Sequence, residues 1–214
     1  MTSKKMLFWK NGNKATPPAG WEVCFNVPGA DRTLIYGQRG GVPDSSVDFG
    51  FDDFDGDNNR DRNTQYGLIL SGLMWMNSTA REIKIDLPDG PGTYNVYATC
   101  CDSSGFARSV NFDFHDGVNG TILHSWTGTS TSTTLVNIDG SLTDMAAFDD
   151  TTAPGVQMAF TTSQLSVEKA VSGQSYFNAI WLESAGSGPP PTDPFYNPFS
   201  SRVFDPANYE RRIG

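Results

Sequence analysis

The chain is short of charge, cysteine, histidine and long apolar runs, and each shortage removes a class of function. Charged residues make up 18% of it and the formal balance is −9. With no basic run to displace counterions from phosphates, no nucleic-acid partner is expected. No apolar run approaches the ~20 residues that cross a bilayer, so no membrane partner is expected either. The first apolar run stops at Trp9 and is followed by Lys10, which is too short for the core of a signal peptide. The expected location is therefore the cytoplasm of the producing cell, or a virion assembled there. Cys24, Cys100 and Cys101 are an odd set containing a neighbouring pair. Adjacent strand residues point to opposite faces, so the expectation is reduced thiols rather than a disulfide framework. His115 and His124 lie far from these cysteines in sequence and complete no zinc set. A Gly-x-Ser-x-Gly elbow, a phosphate-cradling glycine loop and a histidine-rich metal cluster are all missing, and no enzyme is expected.

What the chain does have is 22 glycines, 13 prolines and 12% aromatics. That balance suits short strands joined by turns better than helices. The clearest pattern is residues 81–101. Ile83, Ile85 and Leu87 alternate with Glu82, Lys84 and Asp86, giving one apolar and one charged face. Pro88, Gly90, Pro91 and Gly92 then make a turn, after which Tyr94, Val96, Ala98 and Cys100 share a face. The pattern predicts two adjacent antiparallel strands with Ile83, Ile85, Val96 and Ala98 in the core.

Trp21, Val23, Phe25 and Val27 mark a first core strand, and residues 33–36 a short one. Residues 68–76 read as a strand leading into a loop that displays Trp75 and Met76. Residues 108–115 and 122–126 make a hairpin, and further strands fall at 156–160, 165–170 and 176–183. This amounts to about nine or ten strands with no amphipathic helix, the spacing of an all-β, antiparallel β-sandwich of jelly-roll type. Residues 1–20, punctuated by Gly12, Pro17, Pro18 and Gly20, read as an N-terminal arm, and 21–184 as the sandwich. Residues 185–194 are a Gly/Pro linker, and 195–214 an aromatic C-terminal arm.

Asp86-Leu87-Pro88, a glycine turn and Thr93-Tyr94-Asn95-Val96-Tyr97 resemble the centre of galactose-binding-domain-like jelly rolls, in which many carbohydrate-binding modules are built. Val47-Asp48-Phe49-Gly50 resembles an early strand of that group, and residues 176–183 its closing strand. The resemblance spans about residues 45–184 and implies the fold. The family's ligand residues lie on variable loops, so no ligand residue follows from it.

Three sets of candidate residues stand out. Asp53, Asp55, Asp57 and Asn59 recur every second position, as oxygens do in calcium loops. The glycine, however, falls fourth from Asp53 where an EF-hand has it sixth, and Thr64 occupies the twelfth place, where a glutamate is needed. Calcium and a solvated acidic loop both remain open; no other cofactor is expected. Trp75 and Trp126 are candidates to stack on a cell-surface glycan, or else to be buried. Phe195, Tyr196, Phe199, Phe204 and Tyr209, with Arg211 and Arg212, have no strand or helix period and are spaced by Pro194, Pro198 and Pro206. They read as anchors for neighbouring protein subunits.

The expected function is thus a non-catalytic structural or interaction protein. In architecture it resembles the head-decoration, cement or fibre-associated proteins of tailed bacteriophages, with a homo-oligomer or capsid as partner. A stand-alone carbohydrate-binding module is the alternative.

Overall fold

A computed structural model of the chain describes residues 2–8, 16–24, 34–38, 49–52, 65–76, 81–171 and 173–185. Among the described residues there are fifteen strands and one 3-10 turn. The larger sheet contains β1 (Ser3–Phe8), β2 (Trp21–Cys24), β7 (Gly92–Cys100), β10 (Thr134–Asn137), β11 (Leu142–Asp144), β12 (Val156–Phe160) and β15 (Ala179–Ser184). They run in the order β11-β10-β7-β15-β1-β2, with β12 also on β7. The second sheet runs β3 (Leu34–Gln38), β6 (Arg81–Asp86), β13 (Gln164–Lys169), β8 (Ser109–Asp116), β9 (Ile122–Thr129). A three-stranded sheet is made of β14 (Ser175–Phe177), β5 (Leu73–Met76) and β4 (Phe49–Asp52). Every pairing is antiparallel except β1 with β2.

The fold is an all-β sandwich. Met6, Phe8, Tyr94, Val96, Ile180 and Leu182 from the larger sheet meet Ile83, Ile85, Phe112, Phe114, Leu165 and Val167 from the second in one buried cluster. Met74, Met76 and Phe177 of the three-stranded sheet join the same core. Rings lock it: Phe177 lies edge-on to Phe8 at 4.6 Å and to Phe112 at 5.1 Å between centroids. Edge-to-face contacts of this kind add to the area that each ring buries.

Ile83, Ile85, Val96 and Ala98 are buried as expected, but their two strands are not neighbours. β6 pairs with β13 and β3 in one sheet, and β7 with β15, β12 and β10 in the other. Residues 87–92 therefore cross between the sheets. Pro88 and Pro91 stiffen a connection too long for a two-residue hairpin turn. Tyr94 fixes it by donating its hydroxyl to Gly90 O (2.8 Å) and accepting from Asp89 N (3.1 Å). The expected hairpin of β8 and β9 does form, with a register shift at Phe114 and His115.

Two further differences concern the ends of the chain. Ser3–Phe8, placed by sequence in an arm, is a strand between β15 and β2, with Met6, Leu7 and Phe8 wholly buried. Three apolar residues in a row give no alternation, but they suit a strand covered on both faces. The closing strand is broken: β14 ends at Phe177 in the three-stranded sheet, and β15 starts at Ala179 in the larger one. Asn178 makes the switch. Its Oδ1 accepts from Cys101 N at 2.6 Å, and its Nδ2 faces the carbonyls of Gly72 (2.6 Å), Cys101 (3.1 Å) and Leu70 (3.3 Å).

Candidate functional site

The outer face of the larger sheet carries the candidate site. Alternation along β1, β7 and β15 turns Lys5, Leu7, Tyr97, Ala179 and Trp181 away from the core, and Trp21 of β2 joins them. Tyr97 lies flat on Trp181, with centroids 5.1 Å apart and planes 4° apart, and Trp21 meets Trp181 at 63°. This aromatic platform is not bare. Residues 65–72 and 145–155 lie over it, placing Leu68, Ile69, Phe148 and Ala153 on the rings. Gly155 allows the close approach, since a Cβ there would stand 2.5 Å from Tyr97 Cε1. Trp181 Nε1 is buried under this cover with no hydrogen-bond partner.

Where the two covering segments part, they leave a cleft of about 390 Å³. Tyr66, Leu68, Ile69 and Phe148 give it apolar walls, Pro18 closes one side, and Asp149 and Asp150 supply charge. Asp150 Oδ2 is 2.9 Å from Lys5 Nζ, which also sits 5.5 Å over the Trp21 ring. Asp149 Oδ1 accepts from both Thr151 N and Thr151 Oγ1 at 2.8 Å. These bonds hold the Asp149 carboxyl below the usual carboxylate range, so it is ionised at neutral pH. Both fall on one oxygen and leave the other lone pairs for a ligand.

Other ionisable groups hold segments together. Asp102 is wholly buried and takes Arg108 at 2.8 Å (Nε) and 2.7 Å (Nη2), while the Arg108 guanidinium lies 4.8 Å from the Tyr176 ring. His124 Nε2 lies 2.8 Å from Ile138 O, and His115 Nδ1 3.1 Å from Gly120 O. Burial pushes the Cys100 thiol up, so it is protonated and unreactive at neutral pH.

Asp116 ties the β8–β9 turn to the β12–β13 turn. Its carboxylate accepts from the amides and hydroxyls of both Thr161 and Thr162. Burial raises the pKa of Asp116, but those bonds together outweigh it and hold the carboxyl below its ordinary value. The folded state therefore prefers the ionised form. The stabilisation is present in full above the unfolded value of about 3.9 and is lost as pH falls below it through the lowered folded value. Asp116→Asn is expected to lower Tm by roughly 2–4 °C at neutral pH, equivalent to about 1 kcal/mol after solvent screening. The gap should close as melting is repeated at acid pH, and parallel curves would count against the assignment.

The structure separates the sequence candidates. Trp126 is buried between Phe112 and Phe114, with Nε1 donating to Asn137 O at 2.7 Å, so its ring is not offered to a sugar. Trp75 lies in β5 rather than on a loop and is half-buried against the core. Asp53, Asp55, Asp57 and Asn59 lie outside the described residues, as do Phe195, Tyr196, Phe199, Phe204, Tyr209, Arg211 and Arg212. Among the described residues, no cluster of three or more His, Cys, Asp or Glu side chains is placed to hold a metal, and no helix is long and apolar enough to cross a membrane. The cleft residues Tyr66, Phe148, Asp149 and Asp150 were not singled out by sequence. The one available signal was an aromatic at the head of an Asp-Asp turn.

Comparison with protein-family models, with curated proteins and with solved structures finds no match.

Proposed function

We propose that the protein is a non-catalytic structural and interaction module. Its sandwich sits on a larger protein assembly, as a virion decoration or cement protein does, and residues 195–214 form an arm that docks on neighbouring subunits. The observation that carries this reading is how the ionisable groups are used. Asp102 braces its own connection through Arg108, His115 closes on its own turn at Gly120, His124 reaches Ile138 O and Asp116 ties two turns together, while the acidic, aromatic cleft pairs no nucleophile with a base. Such a cleft binds rather than reacts. The chain also runs 29 residues past Ala185, and five aromatics in that stretch, at ~150–250 Å² each, are too much apolar surface for a solitary soluble chain to leave exposed.

Native mass spectrometry tests it. The full chain is expected to assemble with itself or with its partner, and the chain lacking residues 189–214 to stay folded but unassembled. Unchanged assembly of the shortened chain would overturn the proposal. The sugar-binding alternative keeps one of its two rings only in part, since Trp126 is buried in the core and Trp75 is half-buried against it, and a glycan array is expected to give no signal above that of a Trp75→Ala control.

A further inference from the structure

We infer that the cleft between residues 65–69 and 148–150 is the seat of the C-terminal arm, with Tyr209 against Tyr66 and Phe148 and the Arg211-Arg212 pair on Asp149. This deepens the proposed function by naming where the arm docks.

Reach comes first. β15 ends on the sheet that carries the cleft, with Ser184 N bonded to Thr2 O and Ala185 N to Thr93 O. Trp181 and its register partner Lys5, whose ammonium holds Asp150 at the cleft, lie four residues earlier. At ~3.3 Å per residue that separation is about 13 Å. Residues 186–214 can span up to about 95 Å, so the arm reaches this cleft on its own sandwich or on a neighbour's.

Chemistry narrows the occupant. Residues 186–214 carry Arg202, Arg211 and Arg212 against Asp193, Asp205 and Glu210, so the whole net charge of −9 rests on the rest of the chain. The arm is neutral overall, and two of its three arginines, Arg211 and Arg212, stand together near its end, beside Glu210 and just after the aromatic Tyr209. A guanidinium is planar, stacks on rings and pairs with carboxylates through a fixed fork, which matches walls of Tyr66 and Phe148 beside an ionised Asp149. Lys5 already neutralises Asp150, so Asp149 is the carboxylate left for the arm. Pro194, Pro198 and Pro206 pre-extend the arm and lessen the entropy lost when it lies down.

The test keeps the full chain and puts a photo-reactive residue at the arm's last aromatic position, Tyr209→p-benzoylphenylalanine. Irradiation is expected to join position 209 to peptides containing Tyr66 or Phe148, as read by mass spectrometry. Arg211→Asp with Arg212→Asp, which leaves the sandwich untouched, should cut the yield about five-fold, as should Asp149→Arg. Mixing isotope-labelled and unlabelled chains assigns the link. Joining between chains supports both the seat and the assembly reading. Joining within one chain supports the seat and overturns the assembly reading. No link at the cleft, or a link indifferent to the charge reversals, overturns the seat, while native mass spectrometry judges assembly separately.

Discussion

Ile85→Asp is expected to leave the chain unfolded at room temperature. Ile85 is wholly buried in β6, level with Leu165 on one neighbouring strand and Leu34 on the other. An aspartate there must either bury an unpaired carboxylate or take up a proton to avoid doing so, and both routes cost several kcal/mol. The cavity left by the lost apolar volume adds to that. A domain of this size is stable by only about 5–15 kcal/mol, so the deficit is comparable with the whole. Circular dichroism melting and proton NMR dispersion would report it, with Ile85→Val, at about 0.5–1.5 kcal/mol, as the mild control. A cooperative melt near the wild-type temperature would show that β6 does not face the core.

The second large effect is expected at Asn178, which is 1% exposed and whose side chain holds two distant backbone segments, 70–72 and residue 101, at once. Asn178→Ala removes the acceptor for Cys101 N and the donor shared by the carbonyls of Leu70, Gly72 and Cys101. Buried polar groups left without partners cost about 1–3 kcal/mol each, and partial relaxation brings the expected loss to about 3–5 kcal/mol. For a chain of this length that is a fall in Tm of roughly 10 °C. Asn178→Asp should be worse, because it turns the donor into a charged acceptor facing three carbonyls. A loss below about 1 kcal/mol for both variants would mean that the switch between sheets is held by packing alone. Hydrogen exchange gives an independent readout, with protection expected to fall first at residues 70–72 and 99–101.

How far the candidate site could be read in the sequence follows from the same residues. The aromatic platform was partly legible, since Trp21 headed a recognised strand and Trp181 lay in the closing one. Its cover was not. Leu68 and Ile69 looked like part of a strand, but the strand begins only at Leu73, and residues 65–71 instead lie in turns over the outer face. Nothing in the sequence singled out Phe148, Asp149 and Asp150. Only the approach of residues 65–69, some eighty positions away in the chain, makes a cleft of them.

By itself the sequence determined that this is an all-β chain and which side chains its core contains. Alternation with a period of two is a local property, and burial of Ile83, Ile85, Val96 and Ala98 follows from it whatever their strands pair with. The same alternation suits two strands side by side in one sheet and two strands facing each other across a core, so partner choice is not written in it. Tertiary structure decided that residues 87–92 cross the sandwich, that Ser3–Phe8 is a strand between two others, and that the closing segment changes sheet at Asn178. Each of those outcomes depends on hydrogen-bonding edges supplied by distant segments, such as β13 for β6 and β15 for both β1 and β7. Their free energy exists only once the sheets have closed on one another, which is why no stretch of the sequence read alone could show it.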